Sequence, residues 1–209
     1  KAPAPDFALP APYEDRGEIA RGGMGAVRRA FDADLQRQVA IKVMLPTLRG
    51  KEAVTQRFVD EARITALIDH PNIAPVYRLA KAADGSLSLV MKLIEGRSFT
   101  SHLRTLPPPP WPWSVLDSVL SILVKVCDAV AHSHRLGVLH RDLKPQNVMV
   151  CAGGSEVKVL DFGLGRIVST EPEDVSSQTL EGLVQGTLPY MSPEQISGEP
   201  VTTLSDLYS

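Results

Sequence analysis

Four consecutive prolines, Pro107 to Pro110, followed by Trp111 and Pro112, constrain the fold more than any other stretch of this chain. Proline lacks a backbone N–H and has a fixed φ, so the run can be neither helix interior nor central strand. It marks a surface connection: a stiff spacer, or else a ligand for a domain that binds polyproline II segments. It leads into a long helix predicted over 114–136, where Leu116, Val119, Leu120, Leu123, Val126, Cys127 and Val130 form a wide apolar stripe. On that stripe Cys127 reads as a small core residue. Ahead of the run, Val39, Ile41 and Val43 alternate with Ala40 and Lys42, the period of a strand. A helix is expected over 53–68, with Phe58, Ala62, Thr65 and Ile68 near one face. It stops before His70-Pro71, because a residue preceding proline avoids the α region. Strands are expected at 73–79 and 86–94 around Ala83-Asp84-Gly85, and at 147–150 and 157–160 around Gly153-Gly154. Residues 1–13, with Pro3, Pro5, Pro10 and Pro12, read as an extended leader, and regular structure should begin near Asp15.

Composition excludes several classes. The chain has 209 residues, 44% apolar and 22% charged, with a net charge of −2. There is no broad basic footprint for nucleic acid. No apolar run reaches the ~18 residues of a membrane span. Two cysteines make no disulfide framework, so a reducing, cytoplasmic setting is expected. The chain starts with Lys1 rather than Met and stops at Ser209 inside an apparent helix start, so both ends read as cut from a longer polypeptide.

The chemistry concentrates in His140-Arg141-Asp142-Leu143-Lys144-Pro145-Gln146-Asn147. Phosphoryl transfer from ATP to a hydroxyl needs a carboxylate to accept the proton, an ammonium to steady the moving group and an oxygen donor for a metal. Asp142, Lys144 and Asn147 supply them within eight residues. Asp161-Phe162-Gly163 follows as a second metal-binding signature. Upstream lies a Gly-rich turn, Ile19-Ala20-Arg21-Gly22-Gly23-Met24-Gly25-Ala26-Val27, whose backbone N–H groups can close on phosphates. Lys42 follows in Val39-Ala40-Ile41-Lys42, a lysine costly to bury without a partner. Glu52, Asp60 and Glu61 on the following helix are the carboxylates that compete to pair with it.

Together these strings resemble the eukaryotic-type (Hanks-type) Ser/Thr protein kinases over roughly 15–209. The flavour is bacterial in Gly22-Gly23-Met24-Gly25, Met91-Lys92-Leu93 and Ser192-Pro193-Glu194-Gln195. The family's G-x-G-x-x-G-x-V pattern is met except at its first glycine, where Ala20 stands. The resemblance implies an α+β, two-lobed protein-kinase fold: a small antiparallel sheet with one helix (15–91), then a mainly helical, incomplete lobe (92–209). ATP and Mg²⁺ would bind in the cleft, and the γ-phosphoryl group would pass to Ser or Thr hydroxyls of protein substrates, including the protein's own through self-association. Asp142, Lys144, Lys42 and Glu61 would be catalytic, Glu61 being the helix glutamate that pairs with Lys42 while Asp60 and Glu52 face solvent. Residues 19–27 with Ala40, Lys42, Met91 and Leu93 would hold ATP, and Asn147 with Asp161 would hold the metal. His140 and Phe162 would be structural. Ser192-Pro193-Glu194 would close an activation segment, within which Thr187 would bond Asp142 or Lys144. Arg141 would pair with a phosphate placed on Thr179. Asp206 would brace the catalytic loop. Two other readings compete: a nucleotide-binding pseudokinase acting as a scaffold, and a piece that is inert as cut.

Overall fold

The computed structural model describes residues 9–22, 25–48, 50–82, 84–151, 154, 156–162 and 188–209. Their contacts divide into two compact units. One comprises the residues up to Ala66 together with Pro75–Leu93; the other comprises Leu67–Ala74 and Ile94–Ser209.

The first unit is a five-stranded antiparallel sheet with one helix. Its strands are β1 (Tyr13–Arg21), β2 (Gly25–Asp32), β3 (Arg37–Met44), β4 (Val76–Lys81) and β5 (Leu87–Lys92), in the order β1-β2-β3-β5-β4. The period-2 pattern of β3 divides two cores. Val39, Ile41 and Val43 face one side and bury with Ala26, Ala30, Ala80 and Val90. Met44 faces the other and packs with Leu89 against Phe58 and Ala62 of helix α1 (Glu52–Leu67). Spacing i, i+3, i+4 puts Phe58, Glu61 and Ala62 on the one buried face of that helix. Gly25 opens β2 where nothing larger fits, since a Cβ there would drive into the carbonyl of Val43.

The second unit has a three-stranded sheet, β6 (Gly96–Ser98), β7 (Val148–Cys151) and β8 (Val157–Val159), in that order. Helix α2 (Phe99–Leu103) follows β6, with the Ser98 hydroxyl accepting the Ser101 N–H at 3.2 Å as its cap. The proline run is exposed and closes on itself: Trp111 Nε1 donates to the Pro107 carbonyl at 2.7 Å. That favours the stiff spacer over an extended ligand. Helix α3 (Trp113–Arg135) then buries Val119, Ile122, Val126, Ala129, Val130 and Ser133. It ends at Gly137, whose φ of 74° suits glycine and lets the Gly137 N–H reach the His134 carbonyl at 2.9 Å. The chain turns there into the buried run Val138-Leu139-His140. Two short helices close the unit, α4 (Pro193–Ser197) and α5 (Thr203–Tyr208).

Two expectations need correction. The stretch 73–79 is not one strand: β4 starts at Val76, and Ile73 makes an isolated parallel bridge to Val159. Asn72 accounts for this, since its side chain donates to the Val157 carbonyl at 3.0 Å and its own carbonyl accepts from Val159 at 2.7 Å. Lys158, 6% exposed, adds a bond from its ammonium to the Pro71 carbonyl. Second, Cys127 is exposed rather than core. The apolar stripe of α3 is wider than the face that is covered, and Leu120, Leu123 and Cys127 lie on its open flank.

Candidate active site

Cross-strand register in the first unit gathers one set of expected residues. Ala20 lies opposite Val27, Val27 opposite Lys42, and Lys42 opposite Leu89; Ala40 lies opposite Met91. Directly paired residues share a sheet face, so Ala20, Val27, Ala40, Lys42 and Met91 all belong to the face that carries α1. Across that face the Lys42 ammonium pairs with Glu61 Oε1, the two side chains being 13% and 5% exposed. Glu61 is thus the partner and not Asp60, which bonds Gln56 at the surface. The turn is tightened by Gly22, whose N–H donates to the Gly25 carbonyl at 2.8 Å. Alternation sends Ala26 to the opposite face, fully buried in the core, so only its backbone is available to a ligand on the Lys42 side. Ile19 and Arg21 end β1 exposed, with Arg21 bonded to Glu18 at 2.6 Å. The Lys92 N–H is committed to the Pro75 carbonyl at 3.0 Å, which leaves Leu93, beyond β5, as the backbone candidate for a base. Gly23 and Met24 lie outside the described residues.

The second unit holds the other set. The Asp142 carboxylate receives Lys144 Nζ at 2.8 Å and Asn147 Nδ2 at 3.0 Å. Asn147 also donates to the Asp142 carbonyl at 2.8 Å. Its amide nitrogen is therefore spent on Asp142, which directs its carbonyl oxygen away, a hard donor of the kind Mg²⁺ takes. The Asn147 main-chain carbonyl accepts from Leu160 N at 2.8 Å, setting Asp161 next along the chain beside this loop. Asp161 is exposed at φ 51° and offers carboxylate oxygens. Two oxygen-bearing side chains fit a cation that keeps waters and phosphate oxygens as its remaining ligands.

His140 is fully buried and packs against fully buried Phe162, ring centroids 4.6 Å apart and the planes tilted by 49°. Its Nδ1 accepts the Asp142 N–H at 3.3 Å, so Nε2 carries the proton and donates to the Leu160 carbonyl at 3.0 Å. Burial pushes its pKa down, against the opposing pull of Asp206, the Leu160 carbonyl, Asp142 and Asp161. The ring therefore serves as a neutral bracket. Arg141 sits at φ 65°, left-handed for a residue with a side chain, at a cost of roughly 1–3 kcal/mol. Asp206, 3% exposed, holds this turn: its carboxylate accepts from His140 N at 2.8 Å, Arg141 N at 2.7 Å and His134 Nε2 at 2.7 Å. The Arg141 carbonyl accepts from Gln195 Nε2 at 2.6 Å. Glu194 takes the Ser205 hydroxyl, which holds its carboxyl below the ordinary range. Sequence reading missed His134 and Gln195. A histidine next to the last residue of α3 and a glutamine after Pro-Glu carry no local mark of partners 72 and 54 residues away. Gly163, Thr179 and Thr187 lie outside the described residues.

Comparison with known proteins agrees with this architecture. The protein kinase domain family model matches residues 13–209, and the chain belongs to that family. It is 38% identical over 193 residues to the serine/threonine-protein kinase pkn2 of Myxococcus xanthus, covering 91% of this chain and 22% of that protein. It is 36% identical over 200 residues to the serine/threonine-protein kinase PknB of Mycobacterium leprae, covering 94% of this chain and 30% of that one. The crystal structure of the Mycobacterium tuberculosis PknI kinase domain superposes with a TM-score of 0.68 at 26% identity, over 96% of this chain and 71% of that domain chain. The chain thus spans between a fifth and a third of the length of these two curated relatives. Among the described residues no helix is long and apolar enough to cross a membrane.

Proposed function

We propose that this chain carries out ATP-dependent phosphorylation of Ser and Thr hydroxyls in proteins, with Asp142 as the group that takes the acceptor's proton. The observation that carries the reading is the Asp142 carboxylate, bonded by both Lys144 and Asn147 within one short loop. Two donors on one carboxylate fix its direction before substrate arrives, which is the positioning that phosphoryl transfer demands. Lys144 Nζ, 2.8 Å from Asp142, is in reach of the negative charge that develops as the phosphoryl group moves. Lys42, held by Glu61, supports the α- and β-phosphates of ATP, with the turn from Ile19 to Val27 closing over them. Ala40, Met91 and Leu93 receive the base. Asn147 and Asp161 would hold Mg²⁺, which neutralises phosphate charge when bound. Arg141 and Thr179 form a regulatory pair if that threonine is phosphorylated, and Thr187 a contact to the Asp142 loop. Self-association for autophosphorylation and a cytoplasmic setting for ATP use belong to the same reading, whether or not the protein is tethered elsewhere.

The test is Asp142→Asn in the full-length protein, assayed with radiolabelled ATP and a protein acceptor. Nucleotide binding should persist, while transfer should fall by at least ~10²-fold, the scale of positioned acid–base catalysis. Undiminished transfer would overturn the assignment.

A further inference from the structure

The peptide between Arg141 and Asp142 is the platform from which the proposed base projects. It has one anchor at each end. The Asp142 N–H reaches His140 Nδ1 at 3.3 Å, a long bond. The Arg141 carbonyl accepts from Gln195 at 2.6 Å, a short one. The left-handed φ of Arg141 gives this peptide a reason to relax if released. The other end of the Gln195 carboxamide is also engaged: its Oε1 accepts the Ser192 N–H at 3.0 Å. A backbone N–H can only donate and a carbonyl can only accept, so this carboxamide has one satisfactory orientation.

We propose that Gln195 is a positioning residue for phosphoryl transfer: its carboxamide ties the Ser192 turn to the Arg141 carbonyl and so sets the peptide plane that aims Asp142. The proposal rests on the reading of Asp142 as base. It predicts a defect in turnover and not in nucleotide binding, because the Gln195 donor acts on the Arg141–Asp142 peptide, which carries the proposed base and not the residues proposed to hold ATP. Charge separates this role from simple packing. In Gln195→Glu the carboxylate still accepts from Ser192 but offers no proton to the Arg141 carbonyl; once protonated, it regains that donor. Gln195→Leu lacks both ends at any pH.

The experiment measures kcat and KM for ATP in the full-length wild type, Q195E, Q195L and D142N between about pH 5 and 8; a carboxylate facing the Arg141 carbonyl is disfavoured, which lifts its pKa above the ordinary value of about 4.3, so the lower end restores the protonated carboxyl. At the upper end both Gln195 variants should lose about tenfold in kcat, the scale of one hydrogen-bond acceptor left unpaired, with KM for ATP within about twofold. As pH falls, Q195E should recover relative to wild type while Q195L does not. A folded Q195E or Q195L with wild-type kcat, or two deficits that follow pH in parallel, would overturn the role. Should Q195L fail to show a cooperative melt, the pH profile of Q195E against wild type decides alone. D142N separates the premises: transfer surviving in D142N removes Asp142 as base, whereas its loss beside an unaffected Q195E removes only the glutamine.

Discussion

Lys42→Met isolates the energetics of the most buried ion pair among the described residues of the first unit. With Glu61 5% exposed and Lys42 13%, water reaches neither partner well. Removing the ammonium leaves a carboxylate between the sheet and Phe58 and Ala62, where its desolvation is no longer offset. A broken buried pair costs about 3–5 kcal/mol, whereas an exposed pair contributes about 0–1 kcal/mol. At roughly 2–4 °C per kcal/mol for a chain of this size, K42M should melt roughly 6–20 °C lower. The compensating change is K42M/E61L, which replaces the pair by apolar groups. Such replacements are often neutral or better, so the double variant should regain most of the loss. Its phosphoryl transfer should nonetheless stay abolished, since the phosphate-directed charge is gone. Urea titration of the three proteins, followed by circular dichroism, gives the energies. A K42M loss below about 1 kcal/mol would mean that the pair is screened like a surface bridge. A double variant as unstable as K42M would show that the unpaired carboxylate is not the cause.

Two further outcomes follow from local geometry. Gly25→Ala should destabilise the β2–β3 pairing by about 1–3 kcal/mol, because its methyl group meets the Val43 backbone and not a movable side chain; ATP affinity measured by calorimetry should fall with it. His140 should remain neutral as the solution passes its ordinary value of 6.5, since burial holds its pKa down. Below that value the unfolded chain binds a proton the folded one refuses. The His140 contribution to stability is therefore intact above about pH 6.5 and is lost as pH falls toward the folded pKa. Ring ¹⁵N shifts would report the Nε2–H tautomer, and a ring that charges near 6.5 would contradict the bracket role.

Much of this site could be read from local strings because its parts are consecutive. Asp142, Lys144 and Asn147 lie within six positions, and the loop that joins them is held by bonds among themselves. Glu61 was legible because the resembling family pairs this lysine with a glutamate of the next helix, and the structure buries it beside Phe58 and Ala62. The misses have a common physical origin in distant partners. Ile73 looked like a strand residue, but it lies outside the strands and makes a lone bridge to Val159 and not to the neighbours of β4. Cys127 belongs to an apolar run, and no periodicity tells which half of a wide stripe is covered. Lys158 owes its burial to the Pro71 carbonyl, 87 positions away, which no local pattern marks.

The carboxylate of Asp206 meets the amides of His140 and Arg141 across 66 and 65 positions of chain. A ribosome adding roughly 5–20 residues per second emits His140 several seconds before Asp206, about 3–13 s at those speeds. During that interval nothing yet made can clasp the two amides as Asp206 will, and the turn at Arg141 has no reason to hold its awkward angle. The turn that carries Asp142 is thus completed only once Asp206 has emerged, by a residue that takes no part in the proposed chemistry itself.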